Sequence, residues 1–279
     1  MLDSAAAFNK FNHLLPKNIK PFFVSQNLSE QKIYKKPQGV VASSVTAAAT
    51  AGTAYCYDTS GRFFLKTDTT TYYVENTIRL NDGNLLISGQ YIFNTSFHTG
   101  GFVIKSDELG NIIWSKLYDP ENNGPGDYIS YYRTIELKDG SILLAGSTYN
   151  AESENDDLIV SRTDNLGNII WSKIYKSRLW GHGNGSTDYF YIQQIKQDAY
   201  GGDIFFTGPH WADGRSLTRL NVENGNIVWS KLYQIWSGNQ FDTPFGIDIK
   251  ANEIISFGKF LTYYGDPYVN IYRIDKSSG

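Results

Sequence analysis

The sequence predicts an all-β protein, a β-propeller of four-stranded blades that follows an irregular N-terminal arm. A nine-residue stretch, Gly-Asn-Ile-Ile-Trp-Ser-Lys-Leu-Tyr at 110–118, returns with small changes at 167–175 and 225–233. Its tryptophans are therefore 57 and 58 residues apart, and a long fixed period indicates repeated supersecondary units. Aromatic residues make up 15% of the chain, which suits the pleated surface of a β-sheet.

Each repeat divides into four short strands, named a to d in chain order. An Asp-Gly turn joins strands a and b, as at Asp82-Gly83 and Asp139-Gly140, and this dipeptide is a strong hairpin signal. A second tight turn joins strands c and d, and strand d carries the tryptophan. Evenly spaced short strands of this kind are typical of propeller blades.

Residues 1–52 do not match the repeat and are predicted to form an N-terminal arm. Pro16, Pro21 and Pro37 interrupt the first part, and small residues fill 40–52. The first ten residues lack the basic start and the apolar core of a secretory signal. Two alternatives remain for the arm, an extended segment lying on another surface or a disordered leader.

The propeller is predicted to occupy residues 53–279. The segment 53–67 resembles the back half of a repeat, with Leu65 in place of the tryptophan. The last repeat reaches only its c–d turn, so we expect either further blades or a small ring closed by 53–67. The predicted units are a partial blade at 53–67, full blades at 71–118, 131–175 and 191–233, and a truncated blade at 245–279.

The composition argues against several kinds of function. The formal net charge of −3 provides no basic footprint for nucleic acid. The single cysteine, Cys56, rules out an internal disulfide framework and the usual cysteine zinc motifs. No apolar run is long enough to span a bilayer. We therefore expect no cofactor, no metal, no nucleic-acid partner and no membrane span.

The repeats resemble bacterial and phage β-propeller repeat domains with the pattern Asp-x-x-Gly-Asn-Ile-x-Trp-Ser-Lys-x-Tyr. The resemblance covers residues 75–270 and does not extend to the first 50. It implies the fold, and it implies large surface, secreted or phage-encoded proteins as the setting. The pattern residues are structural in such domains, so the resemblance assigns no catalytic residue. We accordingly expect Trp114, Trp171 and Trp229 to pack between blades.

Candidate binding residues fall in the longer loops. In a propeller the b–c and d–a loops share one face, and here these loops are long and variable. Aromatic side chains with polar neighbours on that face would suit contact with a sugar or a protein. They could equally fill the central channel or support the loops. The candidates are Trp180, His182, His210, Trp211, Trp236, Tyr263 and Tyr264.

Two acidic features are also candidates. The loop 150–157 could hold calcium through its carboxylates, or it could be a solvated loop, because it does not match the EF-hand spacing. A carboxylate pair for glycoside cleavage could be assembled from the acids of the long loops, but the sequence does not show which of them face each other. Those acids are Asp188, Asp213, Asp242 and Asp266.

The function expected from the sequence is a non-enzymatic structural and recognition module in a larger assembly. Residues 1–52 would dock it to other protein subunits, in a virion component such as a tail fibre or in an adhesin-like protein. One alternative is a carbohydrate-binding or carbohydrate-active propeller that contacts a surface glycan. Another is a secreted bacterial propeller at the cell surface.

Overall fold

The structure, a computed structural model, describes the strand-forming parts of the chain. In these parts every regular element is a β-strand, and none contains a helix that is long and apolar enough to cross a membrane. The described ranges are 41–43, 55–56, 63–66, 70–93, 99–119, 128–150, 155–175, 192–210, 214–234, 241–261 and 267–279.

The first sheet has seven strands in the order β1-β7-β6-β5-β4-β3-β2. Its central strands β4 to β7 follow one another along the chain and form one four-stranded blade. β1 extends the sheet beyond β7, and β3 and β2 extend it beyond β4. The strands are β1 (Val41–Ser43), β2 (Tyr55–Cys56), β3 (Phe63–Lys66), β4 (Thr70–Arg79), β5 (Leu85–Phe93), β6 (Thr99–Ser106) and β7 (Ile112–Asp119).

The second and third sheets each have four antiparallel strands, and the fourth sheet has three. The second contains β8 (Tyr128–Glu136), β9 (Ile142–Asn150), β10 (Asn155–Thr163) and β11 (Ile169–Tyr175). The third contains β12 (Gln194–Gln197), β13 (Ile204–His210), β14 (Gly214–Leu220) and β15 (Ile227–Gln234). The fourth contains β16 (Phe241–Ile249), β17 (Glu253–Leu261) and β18 (Pro267–Asp275).

The predicted fold class is confirmed. The chain is all-β in its described residues, with successive four-stranded sheets of the propeller type and an incomplete last one. No strand of the first sheet pairs with a strand of the fourth among these elements. The boundary at residue 52 stays a prediction.

A bulge in strand a explains a glycine that returns in strand b. In the second sheet the register of β8 against β9 shifts between Tyr131 and Arg133. There the carbonyl oxygen of Ser130 lies 1.7 Å from where a Cβ on Gly146 would stand. Gly89 meets the carbonyl oxygen of Tyr73 in the same way, at 1.9 Å. Any side chain at these glycines would displace strand a, and bulges of this kind also increase the local twist.

The core lies between successive sheets, and the middle sheets are buried on both faces. Leu143 packs toward the third sheet and Leu144 toward the first, and both are fully buried. In the third sheet, Phe206 belongs to the cluster shared with the second sheet and Phe205 to the cluster shared with the fourth. Strands with two buried faces carry continuous apolar runs, which accounts for Ile-Leu-Leu-Ala and Ile-Phe-Phe in the sequence.

The fourth sheet exposes its second face. Val269 is 79% exposed and Ile271 is 62% exposed, and Phe257 lies opposite Ile271 on the neighbouring strand. These side chains point away from the core cluster formed by Ile254 and Ile274. The described part of the chain therefore provides no sheet that packs on this face.

Candidate functional site

Most of the predicted binding residues lie outside the described residues. These are Trp180, His182, Trp211, Trp236, Tyr263 and Tyr264, together with Asp188, Asp213 and Asp266. The backbone of His210 ends β13, where it pairs with Gly214, and the backbone of Asp242 pairs with Phe260. Their assignment to a binding face stays a prediction.

The three repeated tryptophans lie on the last strand of one sheet and contact the c–d turn of the next. The indole Nε1 of Trp114 donates to the carbonyl oxygen of Asn165 at 3.2 Å. Trp171 donates to Val222 at 3.0 Å, and Trp229 donates to Lys276 at 3.2 Å. Each indole therefore joins two successive sheets.

Two further side chains of the Trp-x-Lys-x-Tyr strand bind the same turn. Lys116 donates to Oδ1 of Asn168 at 3.3 Å, and Lys173 donates to Oδ1 of Asn226. The hydroxyl of Tyr118 donates to the carbonyl oxygen of Gly167 at 2.9 Å. Between the second and third sheets, the hydroxyl of Tyr175 donates to the carbonyl oxygen of Gly225 at 2.5 Å. Between the third and fourth sheets, Lys231 donates to the carbonyl oxygen of Gly279 at 2.8 Å. We call this set of contacts the indole latch.

The glycine of each c–d turn forms the surface that receives the indole. Gly167 has φ of 79°, and a Cβ there would stand 3.0 Å from Cζ3 of Trp114. Gly225 has φ of 67°, and a Cβ there would stand 2.7 Å from the same atom of Trp171. A side chain at either glycine would therefore be unfavourable for two reasons. The positive φ strains any residue with a Cβ, and the indole ring occupies the space.

A row of cation–carboxylate pairs joins strand c to the a–b turn in each of the first three sheets. Lys105 pairs with Asp82 at 2.6 Å, and Arg219 pairs with Asp203 at 2.7 Å. These residues were missed by the sequence interpretation. The signal was present, because Lys105, Arg162 and Arg219 occupy one position of the repeat.

Arg162 also crosses to the next sheet. Its guanidinium binds Asp139 at 2.5 Å in its own sheet and Glu223 at 3.1 Å in the third sheet. Hydrogen bonding from Ser141 and then the Arg162 guanidinium hold the pKa of the Asp139 carboxyl below its usual range. Lys276 makes a similar crossing in the opposite direction, to the buried Asp198 at 3.0 Å. These ion pairs link neighbouring strands or sheets, and we interpret them as structural contacts.

Polar residues also meet at the opposite, long-loop end of the first sheet. The hydroxyl of the buried Tyr91 donates to Oδ1 of Asp119, the last residue of β7. A Cβ on Gly100 would stand 2.6 Å from the Tyr91 hydroxyl and 2.7 Å from that carboxylate oxygen. Three adjacent strands thus place a phenol, a glycine and a half-buried carboxylate at one point. We call this set the Tyr91–Asp119 site.

A second carboxylate lies at the same level of the second sheet. Asp157 pairs with Thr148 across β10 and β9, in the register that Gly100 and Tyr91 have in the first sheet. It is 2% exposed, although the sequence interpretation placed it in a loop that either binds calcium or is solvated. In the described ranges no three His, Cys, Asp or Glu side chains group as they would around a metal ion.

Comparison with known proteins provides a fold-level likeness and little more. No family model and no curated protein matches the chain. Among solved structures it is similar to a "putative 6-phosphogluconolactonase" from Bacteroides fragilis, with 14% identity and a TM-score of 0.36. The match covers 76% of this chain and 58% of that one, so the chain spans less than two thirds of that protein. The likeness assigns no activity.

The comparison corrects the function expected from the sequence. We expected a non-enzymatic module of a virion, tail fibre or adhesin, with a glycan-directed or secreted surface propeller as the alternative. The similar solved structure is named as an enzyme, and no comparison supports a virion, adhesin or carbohydrate-binding role. The physical reason is that the repeated residues, which carried the resemblance to propeller repeat domains, are used in contacts between sheets. They specify a fold, and one fold hosts many activities.

Proposed function

We propose that this chain binds a small polar ligand at the long-loop end of its blades, with the carboxylate of Asp119 as a contacting group. The observation that carries the proposal is the hydrogen bond from the Tyr91 hydroxyl to Asp119. It fixes the orientation of a carboxylate that is half-buried at the end of a strand. Binding groups in rigid β-scaffolds are commonly held at such strand ends.

The protonation of Tyr91 supports this role. Burial, and then the neighbouring Asp119 carboxylate, raise the pKa of the Tyr91 phenol far above its ordinary value. The phenol therefore stays protonated and donates at every physiological pH. Asp119 accepts, and an ionised carboxylate accepts hydrogen bonds from more than one donor.

The chemistry of the Asp119 carboxylate defines the class of ligand. A carboxylate with a fixed orientation recognises hydroxyl, amine or amide donors on a small molecule. The same carboxylate can accept a proton from a bound hydroxyl or a water molecule, which is the role of a general base. Asp157 supplies a second acidic group at the corresponding level of the neighbouring sheet. We thus propose a ligand site in which Asp119 is the candidate proton acceptor.

The test is a thermal-shift screen of small polar metabolites against the whole chain. We expect one or more compounds to raise the melting temperature of the wild type and to lose that effect in Asp119→Asn. The matched control is Glu253→Gln. It changes a carboxylate of the fourth sheet at the a–b turn end, which is opposite to the long-loop end. Compounds that stabilise Asp119→Asn and Glu253→Gln equally would refute the proposal.

A further inference from the structure

The c–d turn of the first sheet has the same construction as the turns that receive an indole. Gly110 donates its amide to the carbonyl oxygen of Asp107 at 3.1 Å, and Gly167 donates to Asp164 at 3.1 Å. Asn111 donates its own amide to Oδ1 of Asp107 at 2.8 Å, as Asn168 does to Asp164 at 2.8 Å. The two turns therefore have the same pattern of hydrogen bonds.

The two turns differ in what lies against them. A Cβ on Gly167 would meet the ring of Trp114 and the side chain of Lys116, but a Cβ on Gly110 would meet no described atom within 4 Å. Gly110 has φ of 88°, so it keeps the backbone conformation of an indole-receiving glycine. The first sheet thus has a c–d turn with the conformation that receives an indole, and no indole of the described residues lies on it.

No tryptophan on a described strand of this chain lies on the c–d turn of the first sheet. Trp114, Trp171 and Trp229 each bind the sheet that follows their own. Strand β3, which carries Leu65 at the position of a tryptophan, pairs with β4 at the other edge of the first sheet. The face of the fourth sheet that carries Val269 and Ile271 is exposed, and no described strand of the fourth sheet pairs with the first sheet.

We infer that the Asp107–Asn111 turn is a docking site for the edge strand of a blade of a partner chain, and that this strand carries Trp-x-Lys-x-Tyr. The three latches inside the chain define the occupant. Its indole would lie on Gly110 and donate to the carbonyl oxygen of Glu108, which corresponds to Asn165. Its lysine would reach Oδ1 of Asn111, as Lys116 reaches Asn168.

Charge supports this occupant. Hydrogen bonds from the side chain and then from the backbone of Asn111 hold the pKa of the Asp107 carboxyl below its usual range, so the turn stays anionic at neutral pH. The lysine of the incoming strand is the complementary cation. An edge strand that lacks indole and lysine would leave Gly110 uncovered and the carboxylate without a counter-charge.

The experiment titrates the full chain with a peptide of sequence Asn-Ile-Ile-Trp-Ser-Lys-Ile-Tyr that carries 5-fluorotryptophan, and follows the fluorine resonance. We expect a shift and broadening with the wild type. We expect affinity to fall roughly tenfold or more in Gly110→Val, because a buried aromatic anchor dominates such contacts. A peptide with the same residues in scrambled order should not bind.

Gly140→Val is the matched control. Gly140 has φ of 79° and, like Gly110, no described atom within 4 Å of an added Cβ, but it lies in an a–b turn. Equal binding by Gly110→Val and Gly140→Val overturns the inference, and so does an absence of binding to the wild type. If Gly110→Val unfolds at much lower urea than Gly140→Val, the chain itself covers Gly110, and a partner blade is excluded.

Discussion

The indole of Trp171 binds the backbone of Val222, 51 residues further along the chain, and so joins the second sheet to the third. Nε1 of Trp171 donates to the Val222 carbonyl oxygen at 3.0 Å, and the ring covers Gly225 in the same turn. Because the contact recurs at Trp114 and Trp229, the stability of the array depends on equivalent joints that can be tested one at a time.

The first prediction separates backbone strain from indole contact at two glycines of equal conformation. Gly167 and Gly140 both have φ of 79°, so alanine strains both turns alike. At Gly167 the new Cβ would also stand 2.9 Å from Cγ of Lys116 and 3.0 Å from the Trp114 ring. We expect Gly167→Ala to lower the free energy of unfolding by about 1–3 kcal/mol more than Gly140→Ala, from overpacking.

Urea unfolding followed by far-UV circular dichroism measures this difference. The a–b turn variant Gly140→Ala serves as its internal control, because nothing described lies within 4 Å of the added methyl. Equal midpoints for the two variants would show that the indole does not constrain the c–d turn.

The second prediction compares two tyrosines at the same repeat position. The hydroxyl of Tyr175 donates to the carbonyl oxygen of Gly225 at 2.5 Å, whereas the buried hydroxyl of Tyr233 has no partner among the described residues. Burial raises the pKa of both phenols, so both are neutral. Tyr175→Phe should lower the free energy of unfolding by about 1–2 kcal/mol, because it removes a buried hydrogen bond.

Tyr233→Phe should be neutral or stabilising, since it removes a hydroxyl that is desolvated without compensation. Thermal unfolding of both variants alongside the wild type provides the measurement. A larger loss for Tyr233→Phe than for Tyr175→Phe would reverse the interpretation and indicate that Tyr233 has a partner outside the described residues.

The sequence predicts the latch as a pattern but not as a set of contacts. The spacing of Trp114, Trp171 and Trp229 shows that they are equivalent, and aromatic residues on a strand between turns are typically packed. It does not show that each indole donates to the following sheet, because that depends on how two sheets are rotated about each other. The a–b turns are simpler, since Asp-Gly determines a hairpin locally.

The Tyr91–Asp119 site could not be predicted for a related reason. The two residues are 28 positions apart and occur in only one repeat, so no periodicity draws attention to them. They meet because β5, β6 and β7 pair in one register, and because Gly100 leaves the space between them. A one-residue slip in any pair would place these side chains on opposite faces.

The third prediction concerns a buried and an exposed arginine. The side chain of Arg162 is 7% exposed and binds carboxylates of two sheets, whereas the side chain of Arg79 is 62% exposed and pairs with Glu108. Arg162→Met should lower the free energy of unfolding by about 1–3 kcal/mol, since it removes the hydrogen bonds that the buried guanidinium makes to Ser141, to Val222 and to two carboxylates that are more than half exposed. Arg79→Met should cost less than about 1 kcal/mol, because solvent screens an exposed pair.

Both arginine variants are measured by urea unfolding at low and at high salt. Raising the salt should remove the small effect of Arg79→Met and leave most of the effect of Arg162→Met. A cost for Arg162→Met as small as that for Arg79→Met would mean that the crossing from the second to the third sheet contributes little to stability.

The last prediction follows stability through acid pH. Ser141 and Arg162 hold the pKa of the Asp139 carboxyl below its usual value, and hydrogen bonds from Ser277 and Ser278 lower the pKa of Asp275 to about 2. A carboxyl whose pKa is lower in the folded state binds fewer protons there than in the unfolded chain. Its contribution is complete above the unfolded pKa of about 4 and is lost as the pH falls through the folded value.

The wild type should therefore lose stability between about pH 4 and pH 2. Asp139→Asn removes one of these titrating groups, so its unfolding midpoint in urea should be lower than that of the wild type at pH 7 and should change less from pH 5 to pH 3. The interval from pH 7 to pH 5 serves as the control, since neither carboxyl titrates there in either state. Parallel pH profiles for the two proteins would show that the titration of Asp139 is not linked to folding.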